Sequence, residues 1–263
     1  MKRFISTWLG VVLVSAVSMA GLTAPWIAPH DPLEQHLSHR LQKPDALYPL
    51  GTDELGRCVL SRVLYGARYS LLIGLTCVGL MSCTGLAVGL LSGYSGALVD
   101  ALVMRVVDGV LAFPGIILAL VVVGIFGTGL FQVTVALALV GWTSYARVVR
   151  GLVLALKEES YVESAKALGY HPLFILYRYI LPGVIPHLMV MAALGLGTVI
   201  LNASGMSFLG LGLEPPTPEW GAMIASGWPF LRRAPHVTLF PAAALTSTVL
   251  GILLVGQRAS VRN

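Results

Sequence analysis

A short polar segment between two long apolar stretches carries the side chains with the most potential for chemistry. It runs from Glu163 to Pro182 and reads ESAKALGYHPLFILYRYILP, with Lys166, His171 and Arg178 spread along it. These groups can form ion pairs and hydrogen bonds with a partner molecule. In a membrane protein, a charged and folded element of this kind belongs in water, where a soluble partner can bind it. The segment therefore predicts recognition and not catalysis.

Motifs for catalysis are absent from the sequence. It contains no GxxxxGK(S/T) phosphate-binding loop, and neither GxSxG nor HExxH occurs. No pair of carboxylates stands on an exposed motif. We therefore expect no catalytic residue, and we expect that this chain does not hydrolyse ATP.

Composition indicates that lipid covers much of the protein surface. The 263 residues are 56% hydrophobic and only 11% charged, with a mean hydropathy of +0.83, whereas soluble proteins usually contain about 25% charged residues. The net charge of +5 comes from scattered basic residues, with no run of Lys or Arg longer than two. We interpret this charge as the signal that orients a membrane protein, so nucleic acid is not an expected partner.

Long stretches without charged residues predict an all-α, polytopic membrane protein with six transmembrane helices. The longest stretch, residues 109–146, would form about 57 Å of helix against a bilayer core of about 30 Å. It must therefore turn back, and the glycine-rich GIFGTG at 124–129 provides the turn. The predicted helices lie near 6–28, 69–93, 101–125, 131–153, 183–204 and 236–256.

An even number of spans places both termini on the same side of the membrane. With the N-terminus in the cytoplasm, ten Lys and Arg residues fall on the cytoplasmic side and seven outside, in agreement with the positive-inside rule. The polar segment then lies in the cytoplasm. The alternative is that the first apolar stretch is a cleaved signal peptide, which would leave five spans. We divide the chain into an N-terminal helix and outer loop at 1–68, a five-helix core at 69–256 and a short cytoplasmic tail at 257–263.

Local signals predict two short helices within the polar segment. Residues 160–168 contain good helix formers, and Gly169 can adopt the left-handed conformation that ends a helix. Pro172 fits the first turn of a second helix, and Pro182 marks a bend into the next membrane helix. A rigid element of this kind can transmit a displacement from a bound partner to the membrane helices. The alternative interpretation is an ordinary cytoplasmic loop, which cannot.

Two smaller features predict helix packing and ion pairing. Gly85, Gly89 and Gly93 recur every four residues and let another helix approach closely, either from this chain or from a partner. Arg105 and Asp108 are three residues apart, share a helix face and predict a local ion pair, with a gate as the alternative.

The outer loops contain candidate ligands and caps. His36 and His39 could meet on one helix face and hold a soft divalent metal, with a solvated loop as the alternative, and we assign no metal site. Glu214 and Glu219 could guide a substrate or contact a binding protein, or they could cap a turn. The three cysteines show no disulfide or zinc spacing.

The polar segment resembles the EAA signature of permeases from ABC importers. Glu163, Ser164 and Ala165 match its E-A-A triplet, with a serine at the second position, and a glycine and an Ile-Leu-Pro triplet follow at the expected spacing. In that family, the element at about 160–178 is the coupling helix, which docks in a groove on the ATPase subunit. The resemblance assigns this role to Glu163, Ser164, Ala165, Ala167, Leu168, Gly169, Pro172, Leu181 and Pro182.

Three further blocks resemble the second permease subunit of dipeptide, oligopeptide and nickel importers. They lie at 49–74, 104–120 and 205–224 and include LGTDELGR, VVDGVLAFPG and GLGLEPPTPEWG. Cys58 departs from the aspartate usual in the family, so an ion pair or helix cap is expected to be lost there. The chain ends in VGQRASVRN instead of the usual polar tail, which we expect to be dispensable for coupling.

The resemblance implies a type I ABC importer permease fold in the inner membrane, with both termini in the cytoplasm. Its implied partners are a homologous permease in a heterodimer, two ATP-binding subunits, a periplasmic or lipoprotein solute-binding protein, and the lipid bilayer. No cofactor is expected on this chain, because ATP and Mg²⁺ would bind to the partner subunits.

The substrate stays open between di- or oligopeptides and nickel, free or chelated. The short chain, Cys58 and the histidines favour nickel slightly. Two other classes remain as alternatives: a secondary transporter or channel, and a membrane scaffold for a soluble partner. The first lacks the intramembrane charges that a proton relay requires.

Overall fold

The protein is built from helices, as expected. The computed structural model describes the backbone of residues 2–261 and the side chains of residues 7–256. In this range the only β-type pairing is one isolated bridge between Thr52 and Cys58. The α-helices are α1 Lys2–Ile27, α2 Val59–Tyr94, α3 Ala97–Leu111, α4 Gly115–Phe126, α5 Leu130–Lys157, α6 Ser160–Ala167, α7 Pro172–Ile175, α8 Leu181–Phe208, α9 Trp220–Gly227 and α10 His236–Val261.

Five helical segments are long and apolar enough to cross a membrane without interruption. The predicted third span, near 101–125, is wrong as a single helix, because α3 and α4 meet at an angle of 85°. Pro114 stands at this break, immediately before α4. Proline donates no backbone hydrogen bond and disfavours a helical conformation in the preceding residue, so α3 ends before it. The uninterrupted segments are 7–27, 59–94, 130–157, 172–208 and 236–256.

Three boundaries differ from the predicted ones. The second span begins at Val59, ten residues before the predicted 69, and its 36 residues would extend about 54 Å, well beyond a bilayer core of about 30 Å. At Pro182, where a bend is predicted, α7 continues through a π-helical turn at Leu176–Ile180 into α8. The last helix reaches Val261 and takes up most of the predicted tail at 257–263, of which 262 and 263 lie outside the described residues.

Glycines allow close packing between α2 and α5. A Cβ atom added at Gly89 would lie 2.6 Å from Cβ of Val149, and one added at Gly93 would lie 2.8 Å from Cβ of Val153. Gly85 packs in the same way against Tyr145. The glycine repeat therefore serves packing within this chain, which decides between the two interpretations of that face.

A buried ion cluster connects the loop before α2 to the loop before α9. The carboxylate of Asp53 accepts a hydrogen bond from Nε of Arg57 at 2.7 Å and lies 3.4 Å from Nε of Arg62. Arg62 also donates to the carbonyls of Pro32 and Pro216, at 3.0 and 3.3 Å. One guanidinium group thus joins the loop before α2 to the loop before α9.

Two residues in these loops stand at the N-termini of helices. Cys58 occupies the position before α2 and makes no side-chain capping bond, so the cap expected from an aspartate is lost. Glu219 is buried. Its carboxylate accepts hydrogen bonds from the backbone N–H of Ala222 at 2.9 Å and from Oγ of Ser204 at 2.8 Å. It therefore caps α9 and does not face a substrate.

Candidate functional site

The residues at 160–182, called here the interhelical segment, form a rigid hairpin. Helix α6 ends at a Schellman motif, in which Gly169 has a φ of +78°. Its N–H donates to the carbonyl of Lys166 at 3.0 Å, and the N–H of Tyr170 donates to the carbonyl of Ala165 at 3.2 Å. The left-handed stop predicted at Gly169 is confirmed.

The second half of the hairpin runs directly into the next membrane helix. The ring of His171 accepts a hydrogen bond from the N–H of Leu173 at 3.3 Å, and Pro172 occupies the first turn of α7. The π-helical turn that follows is wider than an α-turn, and it accommodates Pro182, which has no N–H to donate. The interhelical segment and α8 therefore share one continuous helical stretch from Pro172 to Phe208.

Buried side chains and two lysines attach the interhelical segment to the helix bundle. Val162, Ala165 and Ile175 are buried in the main hydrophobic core. Nζ of Lys166 donates to the carbonyl of Lys157 at 3.2 Å, and Nζ of Lys157 donates to the carbonyl of Gly93 at 3.1 Å. The hairpin is thus linked through the end of α5 to the end of α2.

The opposite face of the interhelical segment exposes large apolar side chains. The exposed fractions are 76% for Leu168, 66% for Leu173 and 74% for Tyr177. An exposed apolar patch rimmed by polar groups marks an interaction surface. Of the residues predicted for docking, Ala165 is buried and Leu181 is half-buried, and the exposed ones are Glu163, Ser164, Ala167, Leu168, Gly169, Pro172 and Pro182.

Ion pairs at the same end of the bundle join α3 to α5, and one of them corrects a prediction. Asp108 pairs with Arg147 on α5, not with Arg105 on its own helix. The Arg105 side chain forms no ion pair or hydrogen bond with any residue whose side chain is described. Helix α5 packs against α3, and this packing brings Arg147 to Asp108. Asp100 pairs with Arg150 at 2.5 Å and accepts a hydrogen bond from Ser92 at 2.5 Å.

A cavity of about 830 Å³ lies between the bent pair α3–α4 and helices α5 and α8. Its walls are mostly apolar, and the polar side chains His187, Thr198 and Asn202 of α8 line it together with Ser144 and Tyr145 of α5. Thr198 and Asn202 are not among the residues predicted from the sequence. A usable signal was present, because Asn202 is a lone amide side chain within a long apolar stretch.

The histidine pair in the loop before α2 bonds to neighbouring side chains. The rings of His36 and His39 are 6.2 Å apart, but His36 lies 3.2 Å from a carboxylate oxygen of Glu34, and His39 forms a 2.8 Å hydrogen bond with Gln42. Within the described residues, no group of three or more His, Cys, Asp or Glu side chains could hold a metal ion. The geometry gives nickel no support.

Comparison with known proteins identifies the family. Residues 85–261 match the sequence profile of the binding-protein-dependent transport system inner membrane component. The chain belongs to this permease family. The predicted family is thereby confirmed, and the permease is an inner-membrane protein that crosses the bilayer several times. A secondary transporter and a scaffold are no longer needed as alternatives, since permeases of this family work with a solute-binding protein and an ATPase.

Curated relatives match the permease over nearly its whole length. The di/tripeptide transport system permease protein of Pseudomonas aeruginosa is 39% identical over 254 residues, covering 94% of this chain and 84% of the relative. The glutathione transport system permease protein of Escherichia coli is 42% identical over 250 residues, which cover 95% of this chain and 82% of the relative. The dipeptide transport system permease protein of Alkalihalophilus pseudofirmus is 38% identical over 249 residues, which cover 95% of this chain and 82% of the relative.

Proposed function

We propose that this permease imports short peptides, using ATP that partner subunits hydrolyse, and that its interhelical segment is the surface on which one ATPase subunit docks. The relatives named above transport dipeptides, tripeptides or glutathione, which supports peptides over nickel. The observation that carries the docking proposal is the exposed apolar face of the interhelical segment, formed by Leu168, Leu173 and Tyr177.

The chemistry of this face suits a soluble protein partner. Burial of an exposed leucine or tyrosine side chain contributes about 1.5–3 kcal/mol to association, and a few such anchors supply most of the energy of a protein interface. Glu163 and Lys166 flank the apolar face and provide polar groups at its rim. Exposed Glu163, Lys166 and Arg178 on the same segment favour a soluble protein over lipid as its partner.

Rigid attachment lets docking drive transport. The interhelical segment continues without a break into α8, and its lysine contacts reach the ends of α5 and α2. A displacement imposed by closing ATPase subunits would pass to three membrane helices at once. This chain would pair with a homologous permease as a heterodimer, and ATP and Mg²⁺ would bind to the two ATPase subunits.

The proposed orientation places both termini and the interhelical segment in the cytoplasm. It follows from six crossings, with the bent pair α3–α4 as one of them, and from the excess of basic residues on that side. The solute-binding protein would then deliver peptide to the outer loops that Arg62 and Asp53 hold together.

Reconstitution in proteoliposomes tests the proposal. The permease is combined with its homologous partner, the ATPase subunits and the binding protein, and uptake of labelled trialanine, glutathione and Ni²⁺ is measured with and without ATP. We expect ATP-dependent peptide uptake. We also expect Leu168→Asp and Leu173→Asp to abolish ATPase binding while Leu47→Asp, an exposed leucine of the outer loop, does not.

Two results would contradict it. Uptake that persists without the ATPase subunits would exclude ATP coupling, and uptake of nickel without peptide would change the substrate. Normal ATPase binding by both aspartate variants would remove the interhelical segment as the docking surface.

A further inference from the structure

The cavity between α3–α4, α5 and α8 has the size and lining of a ligand site. Its volume of about 830 Å³ falls within the range of about 300–1,000 Å³ that is usual for pockets holding small molecules. Sites of this kind are mainly apolar, with a few polar groups that orient the ligand. Here those groups lie on two helices, with His187, Thr198 and Asn202 on α8 and Ser144 and Tyr145 on α5.

Thr198 and Asn202 lie one turn apart on the face of α8 that borders the cavity. Neither side chain forms a hydrogen bond with any part of the protein that the structure describes. Thr198 is exposed and Asn202 half-buried in this chain, and an amide without a partner is unfavourable at membrane depth. The Asn202 amide must therefore be satisfied by water, by a second subunit or by a transported solute.

The lining carries no Asp, Glu, Lys or Arg side chain. A neutral lining can bind peptide groups without holding a charged solute so tightly that it is not released. An asparagine side chain both donates and accepts hydrogen bonds, so it can pair with the N–H and the C=O of a peptide bond. A threonine hydroxyl has the same dual capacity.

Helix α8 also connects this face to the interhelical segment, because α7, the π-helical turn and α8 form one continuous helix. Displacement of the interhelical segment would shift Thr198 and Asn202 relative to α5 and the α3–α4 bend. The polar groups would then engage and release a solute in step with movement at the other end of the helix.

We propose that Thr198 and Asn202 bind the backbone of the transported peptide inside the membrane, and that the absence of fixed charge around them lets peptides of either charge pass. This assignment rests on the proposed function and adds to it the residues that touch the substrate. Contact of Asn202 with the second permease is the competing explanation, and the experiment separates the two.

Charge substitutions at Asn202 provide the first test. The assembled transporter carrying Asn202→Asp or Asn202→Lys is reconstituted, and uptake of trialanine, Ala-Glu-Ala and Ala-Lys-Ala is compared with the unmodified protein. We expect Asn202→Asp to lower the ratio of anionic to cationic peptide uptake by about tenfold, and Asn202→Lys to raise it by a similar factor, because charges of like sign repel at close range. Unchanged ratios in variants that still import trialanine would overturn the assignment.

Thiol labelling provides a second test that does not depend on transport. Asn202→Cys, Thr198→Cys and Leu201→Cys are placed in the assembled transporter with exposed Cys83 replaced by serine. Leu201 is the matched control, since it is exposed but does not line the cavity. We expect a charged, water-soluble thiol reagent to modify positions 198 and 202 at least about tenfold faster than position 201, with trialanine slowing the reaction at 202.

The outcomes separate this assignment from the proposed function. Failure of the unmodified transporter to import any of the three peptides would refute the proposed function, and labelling would still show whether Asn202 faces water. Lack of labelling at 198 and 202 would mean that a partner or lipid covers them, which would overturn the assignment even if import is normal.

Discussion

Lys157 and Gly93 connect the ends of α5 and α2, with 3.1 Å between Nζ and the carbonyl oxygen. The same ammonium group lies 5.7 Å from the ring centre of Tyr94. The backbone carbonyl of Lys157 in turn accepts the hydrogen bond from Lys166 of the interhelical segment. One residue therefore joins the proposed docking surface to two membrane helices.

Replacement of Lys157 by methionine should separate docking from transport. Methionine keeps an apolar side chain of similar length but removes a hydrogen bond from a charged donor, worth about 1.5–3 kcal/mol. We expect ATPase binding to be retained and peptide uptake to fall about tenfold, as measured in proteoliposomes. Lys43→Met, in an exposed part of the outer loop, is the control. Equal peptide uptake by the two variants would show that the hydrogen bond between Lys157 and Gly93 does not contribute to transport.

Gly89→Ala should weaken the contact between α2 and α5. The new Cβ would lie 2.6 Å from Cβ of Val149, so the helices must separate, at a cost of about 1–3 kcal/mol. Gly79→Ala on the same helix meets nothing within 4 Å and should be neutral or slightly stabilising. Thermal unfolding of the purified permease in detergent checks the difference. A midpoint for Gly89→Ala that equals the control would argue against the tight packing.

Gly169 should tolerate asparagine better than valine. Its φ of +78° costs a residue with a side chain about 1–2 kcal/mol, and asparagine adopts this conformation more readily than a β-branched residue. We expect Gly169→Val to increase proteolytic cleavage near residue 169 and to weaken ATPase binding, with membrane insertion unchanged. Gly169→Asn should retain both the resistance to proteolysis near residue 169 and the binding of the ATPase. Identical behaviour of the two variants would exclude the backbone conformation as the reason for glycine.

Loss of Asp100 should destabilise the permease more than loss of Asp108. Asp100 is mostly buried, bonds to both Nε and Nη2 of Arg150, and accepts from Ser92. Asp108 pairs with Arg147 while both remain more than half exposed, and such pairs contribute about 0–1 kcal/mol. We expect Asp100→Asn to cost about 1–3 kcal/mol and Asp108→Asn less than 1 kcal/mol. Thermal unfolding in detergent compares them, and the reverse order would contradict this ranking.

Features that depend on a residue's own backbone could be predicted from the sequence. Gly169 ends α6 and Pro172 begins α7 as expected, because left-handed geometry and a missing N–H act locally. Pro114 acts in the same way and breaks the third span, although uniform hydropathy suggested one straight helix there. Pro182 shows the limit of such rules, since the π-helical turn before it keeps the helix continuous.

The sequence by itself determined the membrane class, the number of apolar segments, the two short helices joined at Gly169 and the family resemblance. Only the tertiary structure decided that Asp108 pairs with Arg147 and not with Arg105. It also decided that the glycine face of α2, formed by Gly85, Gly89 and Gly93, packs against α5. Finally, it decided that Thr198 and Asn202 border a cavity. The physical reason is that a helix repeat defines which residues share a face, whereas the neighbour of that face depends on how all the helices pack together.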